Sequence, residues 1–417
     1  MPKHPENLTR QRTLHVSTSP WADAPKLSLR TRRSPSRQRY DVVIIGAGIS
    51  GALMAHALAD GRRTVLVVDR QTPVHGSTLA STSMLQHELD VPLSHLTKMV
   101  GPDHASRAWL RSARAVDRLV EIVQDLRINC GLTRKKTLFL AGDEYGARAL
   151  KVEAAARQSI GLKADFLTGR DLRDEYGIDR TGAIASDVSA SANPAQMAAG
   201  LLRASQRNGV EIVAETQISD VLSSGKDVVL STSSGDLIAA EYAVFCTGYE
   251  FVEAVARKSH SIVSTWAIAS KPGIPIPAWV KDHLVWEGSD PYLYLRCTQD
   301  GRLIVGGEDE RDPEAYRSTG KLERKAKIIA EKVSDLLDVK IGRPDYAWAA
   351  PFGVTPTGLP MIGEVPGLPQ VFVVMGFGGN GITYSQIAAE IVSNAINGHA
   401  DSDADLYDLK PVRKNGL

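Results

Sequence analysis

The chain contains 417 residues, more than the roughly 100–200 residues of one ordinary domain, so two domains are expected. Hydrophobic residues make up 43% and charged residues 23% of the sequence, which is typical of a globular protein and argues against a disordered, collagen-like or membrane-spanning chain. The net charge of +1 offers no general attraction to a polyanion, so nucleic acid is not expected as a partner.

Residues 1–39 form a basic arm. The first 40 residues hold nine lysines and arginines against two acids, a local charge of +7 that leaves −6 for the remainder. Proline, serine and arginine dominate without apolar periodicity, so an extended or loosely packed lead-in is expected. Its charge would suit peripheral contact with an anionic membrane surface. No transmembrane segment is expected, because the most apolar windows, 42–59 and 371–382, contain glycine turns.

A regular pattern begins at Tyr40. Residues 41–45 form a short apolar run, typical of a strand covered on both faces, and lead into a glycine turn over 46–51. A helix over 52–59 and a second strand over 64–68 follow. Together these segments predict one βαβ unit.

The glycine turn has the spacing of a dinucleotide-binding motif. Gly46 permits the tight turn, Gly48 lets a pyrophosphate approach the backbone, and Gly51 lets the helix pack against the strand. The helix N-terminus then faces the phosphates. Asp69 lies 18 residues after Gly51, at the end of the second strand, where a carboxylate accepts hydrogen bonds from ribose hydroxyls.

Further elements follow along the chain. Helices are predicted over 194–208, 322–337 and 382–396, and strands over 210–213, 217–221, 228–231, 242–245, 264–269, 292–296, 303–305 and 371–374. The three cysteines, Cys130, Cys246 and Cys297, are far apart and form no Cys-x-x-Cys pair. We therefore expect no disulfide framework and no metal site, and a reducing, cytoplasmic location with membrane association as an alternative.

Two segments favour FAD over a nicotinamide cofactor. The polar loop 75–84 supplies hydroxyls and amides that suit a pyrophosphate and a ribityl chain. The glycine turn 376–383 opens the last helix, and its N-terminus suits the flavin N1–C2=O edge, where negative charge develops on reduction. A nicotinamide-linked enzyme does not explain this second turn.

The chain resembles the FAD-dependent oxidoreductases of the D-amino acid oxidase superfamily, which includes glycine and sarcosine oxidases, amine oxidases and amino acid dehydrogenases. The resemblance covers about residues 40–400. The matching segments are YDVVIIGAGISG at 40–51, VVDR at 67–70, HGSTLASTSMLQ at 75–86, VFCTG at 244–248, RLIVGGEDE at 302–310, WAAPFGVTPTGLPMIG at 348–363 and GFGGNGIT at 376–383.

The resemblance implies an α/β fold with two domains. One is a Rossmann-like FAD-binding domain with a βαβ unit of the glutathione-reductase type, and the other is an α+β substrate domain built on a mostly antiparallel sheet. We expect the FAD-binding domain to comprise 40–95, 185–255 and 346–410. The substrate domain then comprises 96–184 and 256–345.

The motif and the resemblance together give the expected cofactor residues. They are Gly46, Gly48, Ile49, Ser50, Gly51, Asp69, Arg70, Ser77, Thr78, Ser81, Thr82, Ser83, Met84, Ile218, Gly248, Gly378, Gly379, Asn380, Gly381 and Ile382. Ala80 stands where some relatives attach the flavin to a histidine, and 348–363 contains no cysteine, so non-covalent FAD is expected.

Candidate catalytic residues lie on or beside the matched segments. They are Gln86, Tyr294, Arg296, Phe352 and Tyr384. Tyr292, Tyr294 and Arg296 alternate along a strand and therefore share one face, which would suit an anion or a flat substrate. Relatives resembling glycine oxidase carry a carboxylate-binding arginine at the place of Phe352, so the usual clamp is missing unless Arg296 supplies it.

These features predict removal of a hydride from a C–N bond to flavin N5, giving an imine that hydrolyses. The substrate is an amine, an N-alkyl amine or an amino acid, and oxygen or a quinone or other electron carrier re-oxidises the flavin. One alternative is oxidation of a 2-hydroxy acid on the same scaffold. Another is a flavoprotein whose basic arm serves for docking.

Overall fold

The computed structural model describes residues 8–23, 28–255 and 260–409. The strands are β1 Arg39–Ile45, β2 Val65–Val68, β3 Met84–Gln86, β4 Thr133–Ala141, β5 Asp165–Thr168, β6 Gly182–Ser191, β7 Glu211–Val213, β8 Ile218–Ser223, β9 Val228–Thr232, β10 Leu237–Phe245, β11 Ser261–Ala269, β12 His283–Gly288, β13 Leu293–Cys297, β14 Leu303–Glu310, β15 Tyr346–Val354, β16 Met361–Glu364 and β17 Val371–Met375. The α-helices are α1 Ile49–Leu58, α2 Ser77–Ala80, α3 Leu93–Val100, α4 Pro102–Asp125, α5 Ala147–Ser159, α6 Gly169–Asp171, α7 Pro194–Arg207, α8 Thr319–Leu337 and α9 Gly381–Ile396.

The first sheet has 8 strands in the order β16-β17-β10-β1-β2-β7, with the β8-β9 hairpin beside β10. The strands β17, β10, β1, β2 and β7 run parallel to one another. Their apolar runs are buried on both faces; α1, α7 and α9 belong to the core cluster on one face. The carboxyl ends of the parallel strands therefore meet at one edge.

Gly51 brings α1 against the turn that follows β1. A Cβ atom on Gly51 would lie 1.8 Å from the Gly46 carbonyl oxygen, so no larger residue fits there. This contact gives Gly51 the packing role that the motif predicts. It also fixes the position of the α1 N-terminus at the sheet edge.

The second sheet has 9 strands in the order β15-β11-β14-β13-β12-β4-β6-β3, with β5 beside β6. Its pairs are antiparallel except β12 with β4, and α8 packs on it, so the predicted α/β fold with a mostly antiparallel second sheet is confirmed. The strands β3 and β6 belong to this sheet. The expected boundaries at residues 95 and 185 placed β3 and most of β6 in the FAD-binding domain instead.

The described part of the basic arm lies against the body of the protein. Thr9, Val16 and Arg32 form bridges with Val252, Ala349 and Val213, respectively. Of the two expected forms, extended or loosely packed, the described residues of the arm adopt the extended one. Within the described residues, no helix is both long enough and apolar enough to cross a membrane.

Arg157 sits at the centre of a fully buried charge cluster. Its guanidinium donates to Glu88 at 2.5 Å and to Glu153 at 2.8 Å. Glu153 also accepts the backbone N–H groups of Leu93 and Ser94 at the start of α3, both at 2.8 Å. Burial acts to raise the pKa of Glu88, but the charges of Arg157 and His87, together with the hydrogen bonds from Arg157 and Trp286, lower that pKa overall.

We expect Arg157→Met to lower the free energy of unfolding by about 3–5 kcal/mol, because two buried carboxylates lose their counter-charge. Chemical denaturation followed by circular dichroism measures this change. The control is Arg118→Met, which removes an exposed ion pair with Glu121 and should change the same quantity by less than about 1 kcal/mol. Equal effects of the two substitutions would contradict the assigned role of Arg157.

Candidate functional site

A cavity of about 530 Å³ opens between the two sheets. The carboxyl edge of the first sheet lines it through residues that follow β1, β2, β10 and β17, including Gly46, Asp69, Gly248 and Gly378. The second sheet contributes residues of β11, β13, β14 and β15. The lining thus combines the edge at which parallel sheets bind ligands with a wall from the antiparallel sheet.

The first sheet's side of the cavity contains the predicted cofactor residues. The members that line the cavity are Gly46, Gly48, Ile49, Ser50, Asp69, Arg70, Ser77, Thr78, Ser81, Thr82, Ser83, Met84, Ile218, Gly248, Gly378, Gly379, Asn380, Gly381 and Ile382. Gly51 does not line it, because it faces the backbone of Gly46. Its role is to allow that close approach.

The polar groups on this side fit FAD. Neither Gly48 before α1 nor Asn380 before α9 caps its helix with a side chain of its own, although the Ile49 N–H of α1 donates to Thr78 Oγ1 at 2.9 Å. The buried hydroxyl oxygens of Ser77 and Ser83 have no hydrogen-bond partner among the described residues. Helix N-termini and hydroxyl donors suit a pyrophosphate and a ribityl chain.

Asp69 has a second role that the motif does not reveal. Its carboxylate accepts the backbone N–H of Ala47 at 2.6 Å and that of Gln71 at 2.8 Å. Burial raises the pKa of Asp69, although these two donors act against the shift. The residue therefore fixes the glycine turn and also lines the cavity.

The second sheet's side of the cavity, together with the segment after β3, forms the candidate substrate site. The predicted residues Gln86, Tyr294 and Phe352 line it. Asp90 and Asp309 line it as well, and neither forms an ion pair with a lysine or arginine of the described chain. Burial raises the pKa of both carboxyls to about 6. For Asp90, the neighbouring Asp309 adds to this rise.

Arg296 does not line the cavity, so its assignment as a substrate-binding residue requires correction. Its guanidinium donates to the carbonyl oxygens of Thr82 at 2.6 Å and Ala192 at 2.9 Å. It also lies 5.1 Å from the ring centre of Trp21. The side chain is 2% exposed and positions the loop that carries Thr82.

Tyr384 also lies outside the cavity, contrary to its assignment as a catalytic candidate. It is fully buried on the core side of α9, and its hydroxyl donates to the Gly358 carbonyl at 3.3 Å. Its ring packs against Tyr407. Only Gly381 and Ile382, at the very start of α9, line the cavity from this helix.

The family model described as "FAD dependent oxidoreductase", abbreviated DAO, matches residues 41–395. The chain belongs to this family. It is 25% identical over 385 residues to a glycine oxidase of Geobacillus kaustophilus, with 89% of this chain and 96% of the relative covered. It is 23% identical over 374 residues to the gamma-glutamylputrescine oxidoreductase of Escherichia coli, with 87% and 84% covered.

Solved structures agree on the fold. The crystal structure of the G. kaustophilus glycine oxidase matches with a TM-score of 0.75 at 22% identity, covering 91% of this chain and 100% of that one. An L-proline dehydrogenase from P. horikoshii matches with a TM-score of 0.72 at 19% identity, covering 89% and 97%. The predicted family, the fold and the use of FAD are thereby confirmed.

Several residues of this FAD-dependent enzyme's cavity were absent from the sequence-based prediction. They are Thr9, Gln11 and Leu14 of the arm, and Asp90, Glu144, Tyr145, Tyr249, Glu250, Trp286, Asp290 and Asp309 of the body. Asp309 lies within the matched segment 302–310, so the sequence could have identified it as a site residue. The arm residues could not have been identified, because nothing in their pattern indicates that the arm packs against the body of the protein.

The arm closes the cavity near Arg70. The Arg12 backbone N–H and the Arg70 guanidinium both donate to Glu250 Oε1, at 2.9 and 2.6 Å. Farther along the arm, Trp21 is 7% exposed and donates its indole N–H to the Ser81 carbonyl at 2.7 Å. The arm thereby holds the loop that supplies the serine and threonine hydroxyls.

We expect Trp21→Ala to raise the dissociation constant of FAD about tenfold, since the loop 77–83 loses its packing and the Ser81 contact. Titration of apoprotein with FAD, followed by flavin fluorescence, measures it. Trp279→Ala is the matched control, because Trp279 also donates its indole N–H to a backbone carbonyl, but that of Tyr176, which lies outside the loop 77–83. An equal loss of affinity in both variants would argue against the arm's role.

We expect Gly378→Ala to impair FAD binding more than tenfold. Gly378 has φ +55°, and a Cβ there would lie 2.0 Å from Asp90 Oδ2, so left-handed strain of about 1–2 kcal/mol combines with a clash. Gly398→Ala is the control, because Gly398 has φ +74° and an added Cβ would meet nothing within 4 Å. The same titration compares the two, and unchanged affinity in Gly378→Ala would contradict the tight fit of this turn.

Proposed function

We propose that this enzyme oxidises the C–N bond of an amine. The observation that carries the proposal is that neither position expected to bind a substrate carboxylate offers a free arginine. Phe352 occupies the first position, and Arg296, at the second, donates to the carbonyls of Thr82 and Ala192. A substrate that needs a carboxylate clamp finds neither. Bound FAD supplies the hydride acceptor for such a reaction.

The proposed reaction is a two-electron oxidation followed by hydrolysis. The carbon beside nitrogen loses a hydride and the nitrogen loses a proton, which leaves an imine; water then adds, and the C–N bond breaks to give a carbonyl compound and a free amine or ammonia. Tyr294 and Phe352 contribute ring surface that orients the substrate and excludes water. The acceptor that re-oxidises the flavin is oxygen or a quinone or other electron carrier.

Non-covalent attachment of FAD is part of the proposal. Cys246 is the cysteine that lines the cavity within the described chain, and burial raises the pKa of its thiol to about 12. A thiol protonated at neutral pH is a poor nucleophile for attachment. Acid precipitation should therefore release the yellow colour into the supernatant, whereas colour retained in the pellet would overturn this part.

Oxidation of a 2-hydroxy acid is the second candidate. It would require a cation for the substrate carboxylate, and Arg311 is the basic residue that lines the second sheet's side of the cavity in the described chain. A docking role for the arm has less support. Arg10 and Arg39 pair with Glu253 and Asp227 of the body at 2.7 and 2.6 Å, so part of the arm's charge is already compensated.

We expect primary or N-alkyl amines to bleach the bound flavin under anaerobic conditions faster than glycine, sarcosine, D-alanine or 2-hydroxy acids. Stopped-flow absorbance measures the rates with each compound. Subsequent mixing with air or with a soluble quinone identifies the acceptor. Rapid bleaching by the amino acids or hydroxy acids, with none by amines, would refute the proposed reaction.

A further inference from the structure

Four carboxylates line the substrate side of the cavity without a cationic partner. They are Asp90, Glu144, Asp290 and Asp309, and none lies within 4 Å of a lysine, arginine or histidine nitrogen of the described chain. Two further acids there are neutralised, because Glu287 pairs with Arg180 at 2.8 Å and Glu310 with Lys321 at 2.6 Å. The four unpaired carboxylates therefore give the substrate side of the cavity a net negative charge.

The four carboxylates form one electrostatic group. Asp309 raises the pKa of Asp90, Asp290 raises that of Asp309, and Asp290 raises that of Glu144, in each case after the larger effect of burial. Like charges that raise each other's pKa favour a bound cation. Arg311 is exposed and is the single basic residue lining this part of the described cavity.

Asp309 is the member placed best to hold a ligand. Its Oδ1 is buried, has no hydrogen-bond partner among the described residues and belongs to a side chain that lines the cavity. The nearby hydroxyls of Thr265 and Tyr292 act against the rise of its pKa, as does the charge of Lys325, which itself pairs with Glu308 and Glu310; all three favour the ionised carboxylate. A buried carboxylate oxygen without a donor costs free energy, which a ligand N–H would recover. The oxygen thus points to a ligand that donates hydrogen bonds.

Aromatic rings surround the same place. The rings of Tyr292 and Tyr294 lie 5.7 Å apart, and both line the cavity. The Tyr294 ring lies across Gly306, where a Cβ would be 2.3 Å from its hydroxyl oxygen. Ring faces attract ammonium groups, so the tyrosines and the carboxylate favour the same kind of ligand.

We propose that the substrate carries a second ammonium group, remote from the C–N bond that is oxidised, and that Asp309 and the rings of Tyr292 and Tyr294 bind it. The substrate class is then a linear diamine or polyamine. This inference rests on the proposed amine oxidation, and it assigns Asp309 as a specificity-determining residue.

Matched probes test the inference on the FAD-loaded enzyme. The compounds 1,4-diaminobutane, 1-aminobutane and 4-aminobutanoate share one reactive end and differ in the distal group, which is cationic, neutral or anionic. We expect the concentration that gives half-maximal anaerobic bleaching to be at least about tenfold lower for the diamine than for the monoamine. This concentration should be highest for the aminobutanoate. Equal half-saturation by the diamine and the monoamine would overturn the inference.

Variants locate the binding group. Asp309→Asn should raise the half-saturating concentration of the diamine about tenfold or more and leave that of the monoamine within about twofold. Arg311→Gln should leave the diamine's value unchanged or lower it. The opposite pattern, in which Arg311→Gln weakens binding of the aminobutanoate and Asp309→Asn has no effect on the diamine, would assign the distal site to an anion and refute the proposal.

Two further measurements distinguish failure of this inference from failure of the proposed reaction. Perturbation of the flavin spectrum by N,N,N′,N′-tetramethyl-1,4-diaminobutane reports binding without requiring turnover, and Asp309→Asn should weaken it as well. If Asp309→Asn lost FAD, Tyr292→Leu would replace it, with the same selective loss expected for the diamine. If no amine bleached the flavin, the proposed reaction would fail; if amines bleached it without preference for a second charge, only this inference would fail.

Discussion

The segment from Gln86 to Asp90 connects the cofactor turn to the substrate side of the cavity. On one side, the Gln86 carbonyl accepts the Thr383 hydroxyl at 3.0 Å, the Glu88 carbonyl accepts the Asn380 side chain at 2.6 Å, and Asp90 accepts the Gly379 N–H at 2.7 Å. On the other side, the Glu88 carboxylate accepts the Trp286 indole N–H at 3.0 Å as well as the Arg157 guanidinium. Any displacement of this segment therefore moves both halves of the site.

The buried charges of Arg157 and its partners fix the position of this segment, but they add little to the free energy of unfolding compared with well-packed apolar side chains. A buried ion pair gains little free energy over well-packed apolar side chains, because desolvation offsets most of the attraction. An arginine with two carboxylates, however, tolerates only one arrangement of α5, the start of α3 and the segment after β3. The cluster selects one position for Glu88, and Asp90 lies two residues beyond it.

The sequence predicted the first sheet well because its parallel strands are continuous apolar runs between glycine turns. The second sheet was harder to predict: β6 is rich in alanine and serine, and its partner β4 lies some distance away along the chain. Arg296 illustrates the limit for the site. Alternation placed it correctly on the face of Tyr294, but its partners, Thr82 and Ala192, lie 214 and 104 residues away, and no local pattern identifies them. Asp90 has no local pattern that predicts its burial, and Asp309, although within the matched segment 302–310, is enclosed only by the folded cavity.

The charges that line the cavity differ between the side that suits the FAD phosphates and the substrate side. The cofactor side offers helix N-termini and hydroxyls, which suit a pyrophosphate, and Arg70 there is already paired with Glu250, so this side presents little free positive charge. Of the lining carboxylates without a lysine or arginine partner in the described chain, Asp69 lies on the cofactor side, where it accepts two backbone N–H groups, and the other four lie on the substrate side. A bound dinucleotide adds its own negative charge, which makes the cavity as a whole attractive to cations and repulsive to anions over a Debye length of roughly 8–10 Å at moderate salt. Selection for a cationic substrate thus begins at the approach to the cavity, before any contact with Asp309.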